Sequence, residues 1–204
     1  MDDHTTVKSA IINYIESVYI GTNVVRLIAG TEPSSWDDRA SRLSQSLRHP
    51  VFRRTNSFDE DRAISFDVPL SANTQDKLEL ESKVYTPDFR YTAGQLASMR
   101  SIQELDWCNL LVSVLGPFYT MALQKTVPVF KKGWDTIATS PFGSLGAYEA
   151  EQDVIRSFFA EHSFRLLDDG LVRSRVENLI LPWTAPENVT VLTCLFTGVD
   201  FMPD

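Results

Sequence analysis

Residues Leu110 to Leu123 are apolar almost without interruption, and a second such run spans Val189 to Phe196. Neither can lie with one side in water, so each is expected to be a central strand covered on both faces. The first is about 14 residues long and carries Gly116-Pro117 in its middle, too short and too broken to cross a bilayer. The rest of the chain must therefore supply covering layers. With 204 residues and 43% hydrophobic content there is material for one sizeable core.

Around these runs the patterning alternates between helix and strand. Val7, Ile11, Ile15 and Val18 form one stripe of an amphipathic helix ending near Gly21. This opening stretch resembles the first helix of NTF2-like domains, and the resemblance ends with it. Ser35-Trp36-Asp37-Asp38 has capping-box form and opens a second helix with Trp36, Ala40, Leu43 and Leu47 as its buried stripe. Pro50 ends it.

Ile64, Phe66, Val68 and Leu70 then alternate with polar residues, as do Leu78, Leu80 and Val84, so an antiparallel hairpin is expected, with Pro69 at an edge or a strand end. A third helix is expected from about Thr92 to Trp107. Leu110 to Leu115 and Phe118 to Lys125 read as two strand segments, with a bend or bulge rather than a tight hairpin at Gly116-Pro117. Gly133 to Gly146 reads as irregular. A helix over Ala147 to Glu161 and a shorter one over Leu171 to Leu179 follow, before the final strand Val189 to Phe196. Strands and helices do not alternate regularly, which disfavours a doubly wound parallel sheet. The expectation is a single α+β domain over residues 1–204, with a mostly antiparallel sheet of about four to five strands and helices packed mainly on one face.

Composition narrows the function classes. The net charge of −8, from 27 acids and 19 bases, disfavours nucleic acid as a partner. Arg39, Arg42, Arg48, Arg53 and Arg54, with His49, cluster locally. They read as a solvated helix face, and a nucleic-acid accessory role for them is the weakest option. Acids stand where a signal peptide would be basic, so a cytoplasmic protein without membrane association is expected. Cys108 and Cys194 read as buried, unpaired thiols in a reducing compartment.

No motif for catalysis, metal or cofactor emerges. Ser140 to Gly146 precedes a helix as a phosphate loop would, but Glu149, Glu151 and Asp153 would repel an anion there. Asp168-Asp169-Gly170 is first a turn. His4, His49 and His162 are too scattered to form a metal site, and Cys108 is no nucleophile beside an apolar strand. The expectation is no catalytic residue, no metal and no cofactor.

Two patches suit recognition instead: the acids Asp59, Glu60 and Asp61, and the aromatic segment carrying Tyr85, Phe89 and Tyr91. Together with the acidic charge they point to a non-enzymatic protein that covers a basic protein partner, as a toxin-neutralising immunity protein or inhibitor does. The alternative is a hydrolase or transferase whose site comes from dispersed carboxylates and histidines.

Overall fold

A computed structural model describes residues 3–21, 33–53, 62–70, 105–129, 133–181 and 184–197. Two long helices come first, α1 (Asp3–Gly21) and α2 (Pro33–Leu47). Strands β1 (Phe52–Arg53), β2 (Ala63–Pro69), β3 (Leu105–Ser113), β4 (Phe118–Val129) and β5 (Gly133–Thr139) follow. Helix α3 (Glu149–Glu161) leads into the short β6 (Arg165–Leu166), α4 (Asp169–Val172) and α5 (Val191–Leu195).

The sheet runs β1-β2-β3-β4-β5 with every pairing antiparallel, and β6 adds a parallel pairing to β4. This is the mostly antiparallel α+β architecture expected, with β6 as a short extra strand. Leu110 and Val112 are fully buried in β3, between β2 and β4, so that run is central as its apolar pattern required. β2 ends at Pro69, where the missing N–H cannot extend a ladder.

Helices α2 and α3 lie on one face. Trp36, Leu43, Ile155 and Phe159 close over Phe66, Cys108, Leu110 and Met121. Tyr119 stacks on Phe159 with ring centroids 4.4 Å apart. Helices are not confined to this face, because α1, α4 and α5 pack in a separate cluster. On the reverse face, at the β3–β4 turn, Ala63 and Phe118 join Ile11 and Ile15 of α1, Leu171 of α4 and Leu195 of α5 in a second apolar cluster. Strand residues alternate between faces, so β2 and β4 feed both clusters with successive side chains.

The outer edge of β4 is tiled by three different partners. β6 pairs at Phe118 and Tyr119, and β5 pairs from Gln124 onward. Between them the loop after β5 fills the gap: Gly143 N–H donates to Met121 O, and Ser140 Oγ accepts from Leu123 N–H at 2.8 Å. The Ser140 hydroxyl thus does what a neighbouring strand's carbonyl would do, and the central strand leaves no orphan there.

Five expectations from the sequence need correction. Val189 to Phe196 is not a strand. It holds α5, opened by a reciprocal Thr190–Thr193 capping box, and buried side chains on all sides of a short helix mimic a central strand. β3 and β4 form a hairpin across Val114–Pro117 rather than one bent strand. Gly133 to Thr139 is a strand, not part of an irregular segment; its threonines, Trp134 and Ile137 suit a strand better than the surrounding composition suggests. Leu105, Asp106 and Trp107 belong to β3 and not to a helix, and the helix expected over Leu171 to Leu179 stops at Val172. The strand expected at Leu78 to Val84 and the remainder of the helix from Thr92 lie outside the described residues. β2 pairs instead with β3 and, at Phe66 and Asp67, with β1.

Candidate binding groove

Helix α1 meets the β3–β4 turn through a glycine. Tyr14 lies against Gly116 and donates its hydroxyl to Leu115 O at 2.9 Å, while its ring meets Phe118 edge-on. α2 approaches the same turn from the other side and presents Trp36 and Arg39. Spaced three apart, these side chains share one helix face. The Arg39 guanidinium lies 4.6 Å from the Trp36 ring centroid.

The third wall comes from the end of α3. Ser163 adopts a left-handed φ of 61°, its N–H reaches Ala160 O and the Phe164 N–H reaches Phe159 O. This is a Schellman termination, and its usual apolar contact is present as an edge-on pair of Phe159 and Phe164. The turn sets Phe164 opposite Trp36, with the Arg39 guanidinium 5.3 Å from its centroid.

Between these walls lies a groove of about 480 Å³, open to solvent and floored by the β3–β4 turn. Arg39 is the only charged side chain among the described residues that line it. Its Nη1 is buried and has no hydrogen-bond partner, and burial alone lowers its pKa. Arginine remains cationic under such a shift. The groove therefore holds a positive charge between two aromatic faces, in mostly apolar surroundings, with no carboxylate among the described residues that line it.

Arg54 lies outside the described residues, and the other described members of that run are dispersed. Arg53 pairs with Asp37 at 2.7 Å, Arg48 occupies a left-handed turn with φ 58°, and Arg42 is exposed. His49 lies 3.8 Å from Glu151. They do not form one cationic face.

The remaining candidates resolve into structural roles. Asp168 Oδ1 caps α4 by accepting from Leu171 N–H, and Asp169 pairs with Arg173 and accepts from Phe142 N–H. In the loop from Ser140 to Gly146, the amides that would cradle a phosphate are already committed: Gly143 to Met121 O, Leu145 to Gln152 Oε1 and Gly146 to Ser144 Oγ. Cys108 and Cys194 are free and buried, and desolvation raises both thiols, so neither is a ready nucleophile. Tyr148 donates to Asp106 Oδ2 at 2.6 Å while Lys125, the direct cross-strand partner of Asp106, approaches Oδ1 at 3.5 Å. Burial, then the bond to Asp106, raises the Tyr148 pKa, so this phenol stays a donor and rivets the approach to α3 onto the sheet.

No family model matches this chain, and no curated protein or solved structure is significantly similar to it. The acids Asp59, Glu60 and Asp61 and the rings Tyr85, Phe89 and Tyr91 lie outside the described residues. The groove was not anticipated from sequence. Trp36 lies in the buried stripe that its spacing predicts, whereas Arg39 is half-buried and not on a fully solvated face. The Trp36–Arg39 spacing was the available signal, whereas nothing local announced that Phe164 and Tyr14 would converge on it. Among the described residues, no group of His, Cys, Asp and Glu is arranged to hold a metal ion, and no helix is long and apolar enough to cross a membrane.

Proposed function

We propose that this chain is a non-enzymatic binding protein that acts by covering a protein partner, in the manner of an immunity protein or inhibitor. The observation that carries the reading is the groove in which Arg39 stands between Trp36 and Phe164. Tryptophan and arginine are the residue types in which binding energy concentrates at protein interfaces, and rigid elements hold them ready at low entropic cost. Here a helix, a hairpin and a Schellman turn supply that rigidity. The net charge of −8 favours a partner whose surface is basic overall, since complementary fields speed encounter.

The test is recovery of a stoichiometric partner from the native host, followed by reconstitution from purified components. Pro117 is exposed at the groove mouth, so Pro117→Glu alters the groove without touching the core. That variant should raise the dissociation rate about tenfold or more, the equivalent of ~1.4 kcal/mol. Recovery of the lone chain, together with turnover in a substrate screen, would favour a hydrolase or transferase instead.

A further inference from the structure

A buried charge is normally paired, because leaving it unpaired in apolar surroundings costs far more than pairing it. Arg39 is half-buried, and its fully buried Nη1 has no hydrogen-bond partner among the described residues. Its guanidinium lies over the Trp36 and Phe164 rings, and no ion pair joins it to a carboxylate among the described residues. Of the two acids that precede it on α2, Asp37 pairs with Arg53 and Asp38 is exposed. Two ring contacts, at 4.6 and 5.3 Å, restrict where the guanidinium can sit, and its planar N–H fork is of the geometry that a carboxylate accepts. The groove beside it is lined by Val18, Leu115 and Pro117, which suit an apolar group and not a second charge.

We propose that this groove is a carboxylate slot that receives an acidic side chain of the protein partner together with an apolar side chain next to it. The proposal rests on the protein-binding reading above and names what the partner must present there. A partner that is basic overall is compatible with it, because long-range steering and one local acidic anchor act at different distances. The volume of about 480 Å³ accommodates a pair of side chains. A purely structural role for Arg39, as glue between α2 and Phe164, would leave the groove indifferent to a ligand's charge.

The probe is 3-phenylpropionate, compared with its neutral amide 3-phenylpropanamide and with inorganic phosphate. Binding is read from the Arg39 Nε–Hε and Trp36 indole N–H resonances. The carboxylate should shift both saturably, with a dissociation constant on the order of 1 mM, as befits a fragment. The amide should bind about tenfold more weakly, and so should phosphate, which has no apolar body. Arg39→Met should abolish the preference for carboxylate over amide, and Arg39→Lys should retain part of it. Equal binding of carboxylate and amide to the unmodified chain overturns the proposal, and so does phosphate binding as tightly as the carboxylate. The wild-type comparison needs no variant, so a poorly folded Arg39→Met leaves the test intact. A seated carboxylate with no protein partner recovered would sink the protein-binding reading and keep the slot. A reconstituted complex whose groove ignores the carboxylate would do the opposite.

Discussion

Gly116 and Tyr14 are in such close contact that a Cβ on Gly116 would lie 2.7 Å from Tyr14 Cε1 and 2.8 Å from its hydroxyl oxygen. The hairpin turn is therefore shaped for the helix that docks on it, and the Gly-Pro step serves the contact between elements. Gly116→Ala must push the ring away and strain its bond to Leu115 O. The expected loss is about 1–3 kcal/mol in urea unfolding, the usual cost of overpacking a close contact. Tyr14→Ala should remove the clash, so the double variant should lose less than the sum of the two single losses. Strict additivity would show that the two residues do not constrain each other.

Alkali should be a selective denaturant. Burial raises the Cys194 thiol to about 12 and the Tyr119 phenol to about 12, and Cys108, Tyr19 and Tyr148 move in the same direction. In the unfolded chain a thiol ionises near ~8.5 and a phenol near ~10. Above those values the unfolded chain releases protons that the folded chain still holds, so stability falls as pH rises. The contribution is intact below about pH 8.5 and disappears progressively towards pH 12. Each fully buried thiol should cost ~1.4 kcal/mol per pH unit within its window. Melting temperature measured in reducing buffer should decline from about pH 9, and Cys194→Ala should shallow that decline.

The C-terminal helix is legible in the same terms. Val189, Val191, Leu192, Leu195 and Phe196 are all buried. Tyr19 donates to Cys194 O at 2.7 Å, and Arg62 donates to Thr193 O at 2.6 Å, satisfying carbonyls at the helix end. Deleting the chain from Val189 onward removes five large buried side chains, each contributing ~1.5–3 kcal/mol. That sum rivals the 5–15 kcal/mol or so that holds a whole domain together. The truncated protein should be insoluble or molten by near-UV circular dichroism. Cooperative melting near the full-length temperature would show the segment to be peripheral.

What the sequence disclosed depended on whether an element has a wet face. Trp36, Ala40, Leu43 and Leu47 recur at helical spacing because α2 is solvated on its far side, and Ile64, Phe66 and Val68 alternate in β2. Val189 to Phe196 has no wet face, so its period was erased and only the Thr190–Thr193 capping box distinguishes helix from strand. The groove was hidden for a different reason. Its walls come from four separate parts of the chain, and one depends on Ser163 adopting a left-handed conformation that its residue type does not advertise. The partial burial of Arg39 is equally invisible, since a cation in a basic run looks the same whether a ring covers it or water does.

The binding reading makes a kinetic prediction about the acids and rings singled out from sequence. Asp59, Glu60 and Asp61 would act on a basic partner through long-range attraction, which salt screens over a Debye length of about 8 Å at physiological strength. Tyr85, Phe89 and Tyr91 would act only at contact. Neutralising the three acids should therefore slow association several-fold at low salt and leave dissociation nearly unchanged. Replacing the rings with alanine should do the reverse, costing about 2 kcal/mol or more where a ring is a true anchor. Stopped-flow mixing at two salt concentrations separates the two effects. A partner indifferent to both sets of changes and to salt must bind elsewhere, and Pro117→Glu then decides whether that place is the Arg39 groove.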